Sequence, residues 1–151
     1  MAPPLPRLTR QQAASALAEG VEQDLGAASA IHALLERQFQ AALRHQGHEL
    51  GALAEELTPA LDAMDARRRQ RVALVRALHG PDGTMAGFIA AQPEPGRAKL
   101  AASWGELERL VVACKSATTR NGNLLAEQFT TMQRVLHNAD GTYGDGSYAP
   151  R

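Results

Sequence analysis

Along most of this chain apolar residues return every three or four positions, and nowhere do they alternate as they would on a strand. From about Thr9 to about Gln46, Leu17, Val21, Leu25, Ala28, Ile31, Leu35, Phe39 and Ala42 form one stripe. Thr9 followed three residues later by Gln12 predicts a capping box at its start. Gly47 and Gly51 offer the natural place for the chain to reverse. A second stripe, from about His48 to Leu78, reads Leu50, Leu53, Leu57, Leu61, Met64, Arg68, Val72, Val75 and Leu78. Thr58-Pro59 inside it reads as an internal N-cap with a first-turn proline, or as a kink. "HGPDG" at residues 79–83 ends that segment. Residues 80–97 form a connector in which "TMAGFIAAQ" predicts one short helix, with Met85, Phe88 and Ile89 closing one end of a bundle. A third helix, without proline, runs from about Ala98 to His137.

The pattern predicts an all-α fold: an elongated antiparallel bundle of three long helices with a short connector helix. Helices of this length span about 45–60 Å at 1.5 Å per residue. Prolines 3, 4 and 6 mark an N-terminal tail over residues 1–8. The bundle domain occupies 9–138, and "NADGTYGDGSYAPR" closes the chain as a flexible tail over 139–151.

Asn121-Gly122 is a strong hairpin signal, yet the third stripe passes through it without a slip. Leu107, Val111, Cys114, Thr118, Asn121, Leu125, Gln128, Met132 and Val135 keep alternating steps of four and three. A continuous helix is expected, at an intrinsic cost of about 1 kcal/mol for glycine. A buried Asn121 would fix register by demanding a partner, with Gly122 letting a neighbouring helix approach. Thr118, Asn121 and Gln128 would then form a polar waist. Alternatively Asn121 sits on the shoulder of the stripe, partly solvated. Beyond it Leu124, Leu125, Phe129, Met132, Val135 and Leu136 cover an arc wider than one coiled-coil seam needs. Core packing is the common use of such an arc. Its place at the end of the fold makes it a candidate helix-in-groove surface.

Composition narrows the function classes. Ala and Leu supply almost a third of the 151 residues, while aromatics are 4%. The formal net charge is zero, so no global field draws the chain to nucleic acid or anionic membrane. No apolar run approaches a membrane span, and "MAPPLPRLTR" lacks a signal core; a cytoplasmic location is expected. Cys114 is the sole cysteine and reads as a buried small hydrophobe rather than a nucleophile. Arg67, Arg68, Arg69, Arg71 and Arg76 form a basic cluster without interleaved aromatics. It reads as a solvated face rather than a nucleic-acid site. Arg68, on the stripe, is expected to snorkel or to pair with an acid such as Glu36. His45, His48 and Glu49 flank a presumed turn and lack a further ligand in spacing, so no metal is expected.

The order of "LLERQF" (Leu34–Phe39), "DARRRQRVALVRAL" (Asp65–Leu78), "WGEL" (Trp104–Leu107), Cys114, "NGNLL" (Asn121–Leu125) and "YGDG" (Tyr143–Gly146) resembles the FlgN family of flagellar type III export chaperones over nearly the whole chain. One departure is Thr118, where the family pattern carries another Asn. The resemblance implies a chaperone, not an enzyme, that binds the amphipathic C-terminal helices of hook–filament junction proteins. It would prevent premature assembly and deliver these clients to the export gate. By position the client-binding residues would be Asn121, Gly122, Leu124, Leu125, Phe129, Met132, Val135 and Leu136, with Tyr143 contacting the export apparatus. No cofactor is implied. The free apolar arc could also pair two copies. The competing reading is an all-helical enzyme or ligand-binding bundle for an anionic metabolite, using Arg68, Arg71 and Lys115.

Overall fold

The computed structural model describes residues 9–143, with side chains through residue 138. The Pro-rich segment 1–8 and the residues beyond Tyr143 lie outside the described residues. Every element within them is helical: α1 (Arg10–Leu43), α2 (Gly47–His79), α3 (Met85–Ala90) and α4 (Gly96–Tyr143). The all-α expectation of three long helices and a short one holds. So does the helix through Asn121-Gly122.

Local chemistry accounts for the ends. Thr9 Oγ1 accepts from the Gln12 amide at 3.0 Å, and Gln12 Oε1 accepts from the Thr9 amide at 3.0 Å, completing the capping box. The α1–α2 reversal falls at Arg44–Gln46, ahead of Gly47 and Gly51, which are both helical. There the Gln46 amide donates to the Ala41 carbonyl and the His45 amide to the Ala42 carbonyl. This is a Schellman motif with His45, at φ 55°, in the left-handed position that glycine usually holds. α2 continues through Pro59. Thr58 Oγ1 donates back to the Ala54 carbonyl at 3.0 Å, so it does not cap a new helix. Gly80, at φ 88° and ψ 177°, stops α2 in a conformation open essentially to glycine alone. Thr84 then caps α3 by accepting from the Gly87 amide at 3.0 Å.

α1 is the central helix. It packs along α2 on one side and α4 on the other, and no Cα of α2 lies within 8 Å of a Cα of α4. α3 bridges α2 and α4 at one end, where Met85, Phe88 and Ile89 join Leu17, Val21, Val75, Leu100 and Leu107 in the larger core cluster. Ile31, Leu35, Leu57 and Ala117 form the second. The expected role of the α3 residues in closing the bundle end is thereby met.

The buried line of α1 differs from the purely apolar stripe. It runs Leu17, Val21, Asp24, Ala28, Ile31, Leu35 and Ala42, with Asp24 in place of Leu25. On α2, Leu61 and Arg68 turn outward, while Ala60, Arg67 and Arg71 are partly buried. On α4 the inward position is Ala117, and Thr118 is exposed.

Gly122 is exposed, and a Cβ built there meets no atom within 4 Å. No helix of the described fold approaches it, contrary to the close-packing role expected from the sequence. Gly122→Ala should therefore recover helix propensity and stabilise the protein by about 1 kcal/mol. Urea unfolding monitored by circular dichroism checks this.

Candidate partner-binding surface

The seam between α1 and α4 ends in a polar lock. Asn121 is 1% exposed. Its amide donates to the Leu35 carbonyl and to Gln38 Oε1, each at 2.8 Å. Its carbonyl oxygen accepts from Arg120 Nε at 3.1 Å. Nearly two turns further, Gln128 Nε2 donates to the Ala42 carbonyl at 2.8 Å, satisfying an acceptor in the last turn of α1. These bonds reward only one axial setting of the two helices. Asn121 is thus a buried register residue, and the solvated-shoulder alternative is set aside. Thr118 takes no part, since its hydroxyl donates to the Cys114 carbonyl of its own helix at 2.8 Å. The waist is Asn121, Gln38 and Gln128, with Arg120 stacked on the Phe39 ring at 4.0 Å and paired to Glu36 at 3.2 Å.

A second lock holds α2. Asp24 is wholly buried and accepts from Arg67 Nε and Arg71 Nη1. The Arg71 guanidinium also lies 5.3 Å from the Trp104 ring centroid, so one cluster ties all three long helices together. The expectation of a solvated arginine face therefore fails for Arg67 and Arg71. Arg68 pairs with Asp65 at 3.0 Å rather than with Glu36, and Arg69 joins the same carboxylate at 3.3 Å. Arg68, Arg71 and Lys115 do not converge. The two arginines line a cavity between α2 and α4, whereas Lys115 lines another beside Phe39 and Arg120. The arrangement needed for the anionic-metabolite reading is absent from these residues.

Past Gln128, α4 leaves its neighbours behind. α1 has ended at Leu43, yet α4 runs on to Tyr143, beyond the expected end near His137. That projection spans about 22 Å at 1.5 Å per residue. On it Phe129 is 64% exposed, Met132 and Val135 57%, and Leu136 56%. Leu124 and Leu125, at its root, are half-buried. The sequence-predicted client residues thus divide in two. Asn121 belongs to the internal seam and offers no surface. Gly122 is open, and Leu124, Leu125, Phe129, Met132, Val135 and Leu136 form a graded apolar face. Tyr143 is the last described residue, at the tip of α4.

The remaining chemistry is sparse. Cys114 Sγ donates to the Ala28 carbonyl at 3.5 Å, and burial raises its thiol pKa, which disfavours the nucleophilic thiolate. Among the described residues no three His, Cys, Asp or Glu side chains are grouped to hold a metal ion. No helix of the described residues is long and apolar enough to cross a membrane.

No curated protein and no solved structure matches the chain. The family described as FlgN protein matches residues 13–150, from the first turn of α1 past the end of α4. With nearly its whole length matched, the chain belongs to the FlgN family, whose members are flagellar export chaperones rather than enzymes.

Proposed function

We propose that this protein is a cytoplasmic chaperone that captures the amphipathic C-terminal helices of hook–filament junction proteins and hands them to the type III export gate. The family supports a flagellar export chaperone in general. The observation that carries the finer reading is the unpartnered apolar face of α4 from Phe129 to Leu136. A solvent-exposed helical arc of this kind suits a partner that is itself an amphipathic helix. Holding such a helix masks the surface through which it would otherwise associate prematurely. Release requires no covalent step, because the attraction is burial of apolar area at about 25 cal/mol per Å². In this reading Tyr143, the last described residue of α4, contacts the export apparatus while the client lies along the same helix.

The test is a calorimetric titration with a synthetic peptide of a junction protein's C-terminal helix from the same organism. Micromolar or tighter binding is expected, with the negative heat-capacity change that apolar burial produces. Absence of heat and of any induced helicity at high peptide concentration would overturn the proposal.

A further inference from the structure

The exposed part of α4 is too small to hold a client alone. A large apolar side chain is worth about 1.5–3 kcal/mol on full burial, or about 60–120 Å² at 25 cal/mol per Å². Four such side chains, a little over half exposed, offer roughly 150–300 Å² of apolar surface. A stable interface takes about 800 Å² from each partner, rather more than half of it apolar. A firmly held client needs adjoining apolar surface.

That surface exists between α2 and α4. Because the backbones of these helices stay more than 8 Å apart, a trough of about 440 Å³ opens between them, lined by six apolar side chains, Leu61 and Val112 among them, and by the charged Asp65, Arg68, Arg71 and Glu108. Leu61 and Val112 stand on its lips, 49% and 63% exposed. Two observations say what fits it. First, at one end the chain bridges the same two helices with a helix of its own. α3 fills that end with Met85, Phe88 and Ile89, at the i, i+3, i+4 spacing of an amphipathic helix. Second, Trp104, Val111, Thr118, Leu125 and Met132 follow one another by sevens along α4. Seven residues are nearly two full turns, with about 20° of drift per step, so over four steps the line winds by about 80° and stays within one half of the helix surface. The line enters at the trough and leaves on the projection.

We infer that the client helix lies along α4 as a missing fourth helix of the bundle, with one part on Phe129–Leu136 and the other seated in the trough between α2 and α4. This deepens the proposed function and rests on it. From Val111 to Leu136 the site spans about 38 Å, the length of a client helix of about 25 residues.

The experiment compares the full chain, Leu61→Asp/Val112→Asp and Phe129→Asp/Met132→Asp in calorimetric titrations with the same junction-protein peptide. All four side chains are exposed, so helicity and thermal midpoint should stay unchanged in both variants. The trough variant should bind at least about tenfold more weakly, because a carboxylate cannot be left in an apolar contact without cost. Unaltered binding by the trough variant, with loss in the Phe129→Asp/Met132→Asp protein, would overturn the inference and leave the proposed function standing. Weakening by the trough variant alone would overturn the single continuous helix. No binding to the unmodified chain would overturn both.

Discussion

Replacing Asp24 by Ala should cost this protein about 3–5 kcal/mol, the range for breaking a buried ion pair from one side. Asp24 is fully buried and holds two guanidiniums, Arg67 at 28% and Arg71 at 14% side-chain exposure. Removing it leaves both near the interior with no counter-charge, and leaves a void on the buried line of α1. The Trp104 ring can offset part of this for Arg71 through its cation–π contact. Against a typical total stability of about 5–15 kcal/mol, the loss is a large fraction. Urea unfolding should show a midpoint far below that of the unmodified chain. Asp24→Asn should also destabilise, since it keeps the shape and removes the charge. Wild-type midpoints for both would mean that α2 is held by its apolar contacts alone. Because Asp24 lies far along α1 from the projecting end of α4, any remaining folded protein should keep the Phe129–Leu136 face, while the trough lined by Arg71 and Trp104 loses its Asp24 anchor.

This cluster also shows where the sequence was readable and where it was not. The capping box, the helix through Asn121-Gly122 and the α3 seat were legible because each depends on neighbours a few residues away. The apolar stripes were legible in outline only. On α1 a strict alternation of four and three passes through Leu17, Val21, Asp24, Ala28, Ile31, Leu35, Gln38 and Ala42. Choosing the nearest apolar residue instead moves the line to Leu25 and Phe39 and misses both polar locks. The missing signal was a periodic position occupied by a polar residue, which makes sense only once its partner is known. Arg67 and Arg71 are 43 and 47 residues away from Asp24, and no local rule pairs them. On α4 the deviation runs the other way: strict alternation points to Thr118, while the adjacent apolar Ala117 is the buried residue, since one residue of rotation separates seam from solvent. Gly122 was misread for a related reason: a glycine beside a buried residue need not itself be buried. The apolar excess from Leu124 to Leu136 was visible as a pattern. Its isolation was not, because that depends on α1 ending at Leu43.

The second large effect concerns that isolated stretch. Phe129→Asp/Met132→Asp should reduce client binding by roughly a hundredfold or more, since two charges would face an apolar partner surface. The same double change should leave the fold intact, because neither side chain belongs to a core cluster. The contrast with Asp24 is the point: one variant loses stability and keeps the exposed face of α4, the other keeps stability and loses that face. The exposed face and the buried locks therefore act as separable parts of one molecule.

The most direct measurement is a side-by-side calorimetric titration of the unmodified chain and the Phe129→Asp/Met132→Asp protein with the junction-protein helix. Circular dichroism on both samples confirms equal helicity. Micromolar or tighter binding to the first, and binding weaker by about a hundredfold or more to the second, is the predicted result. Equal binding by the two proteins would place the client elsewhere and contradict the assignment of the projecting end of α4 as its docking surface.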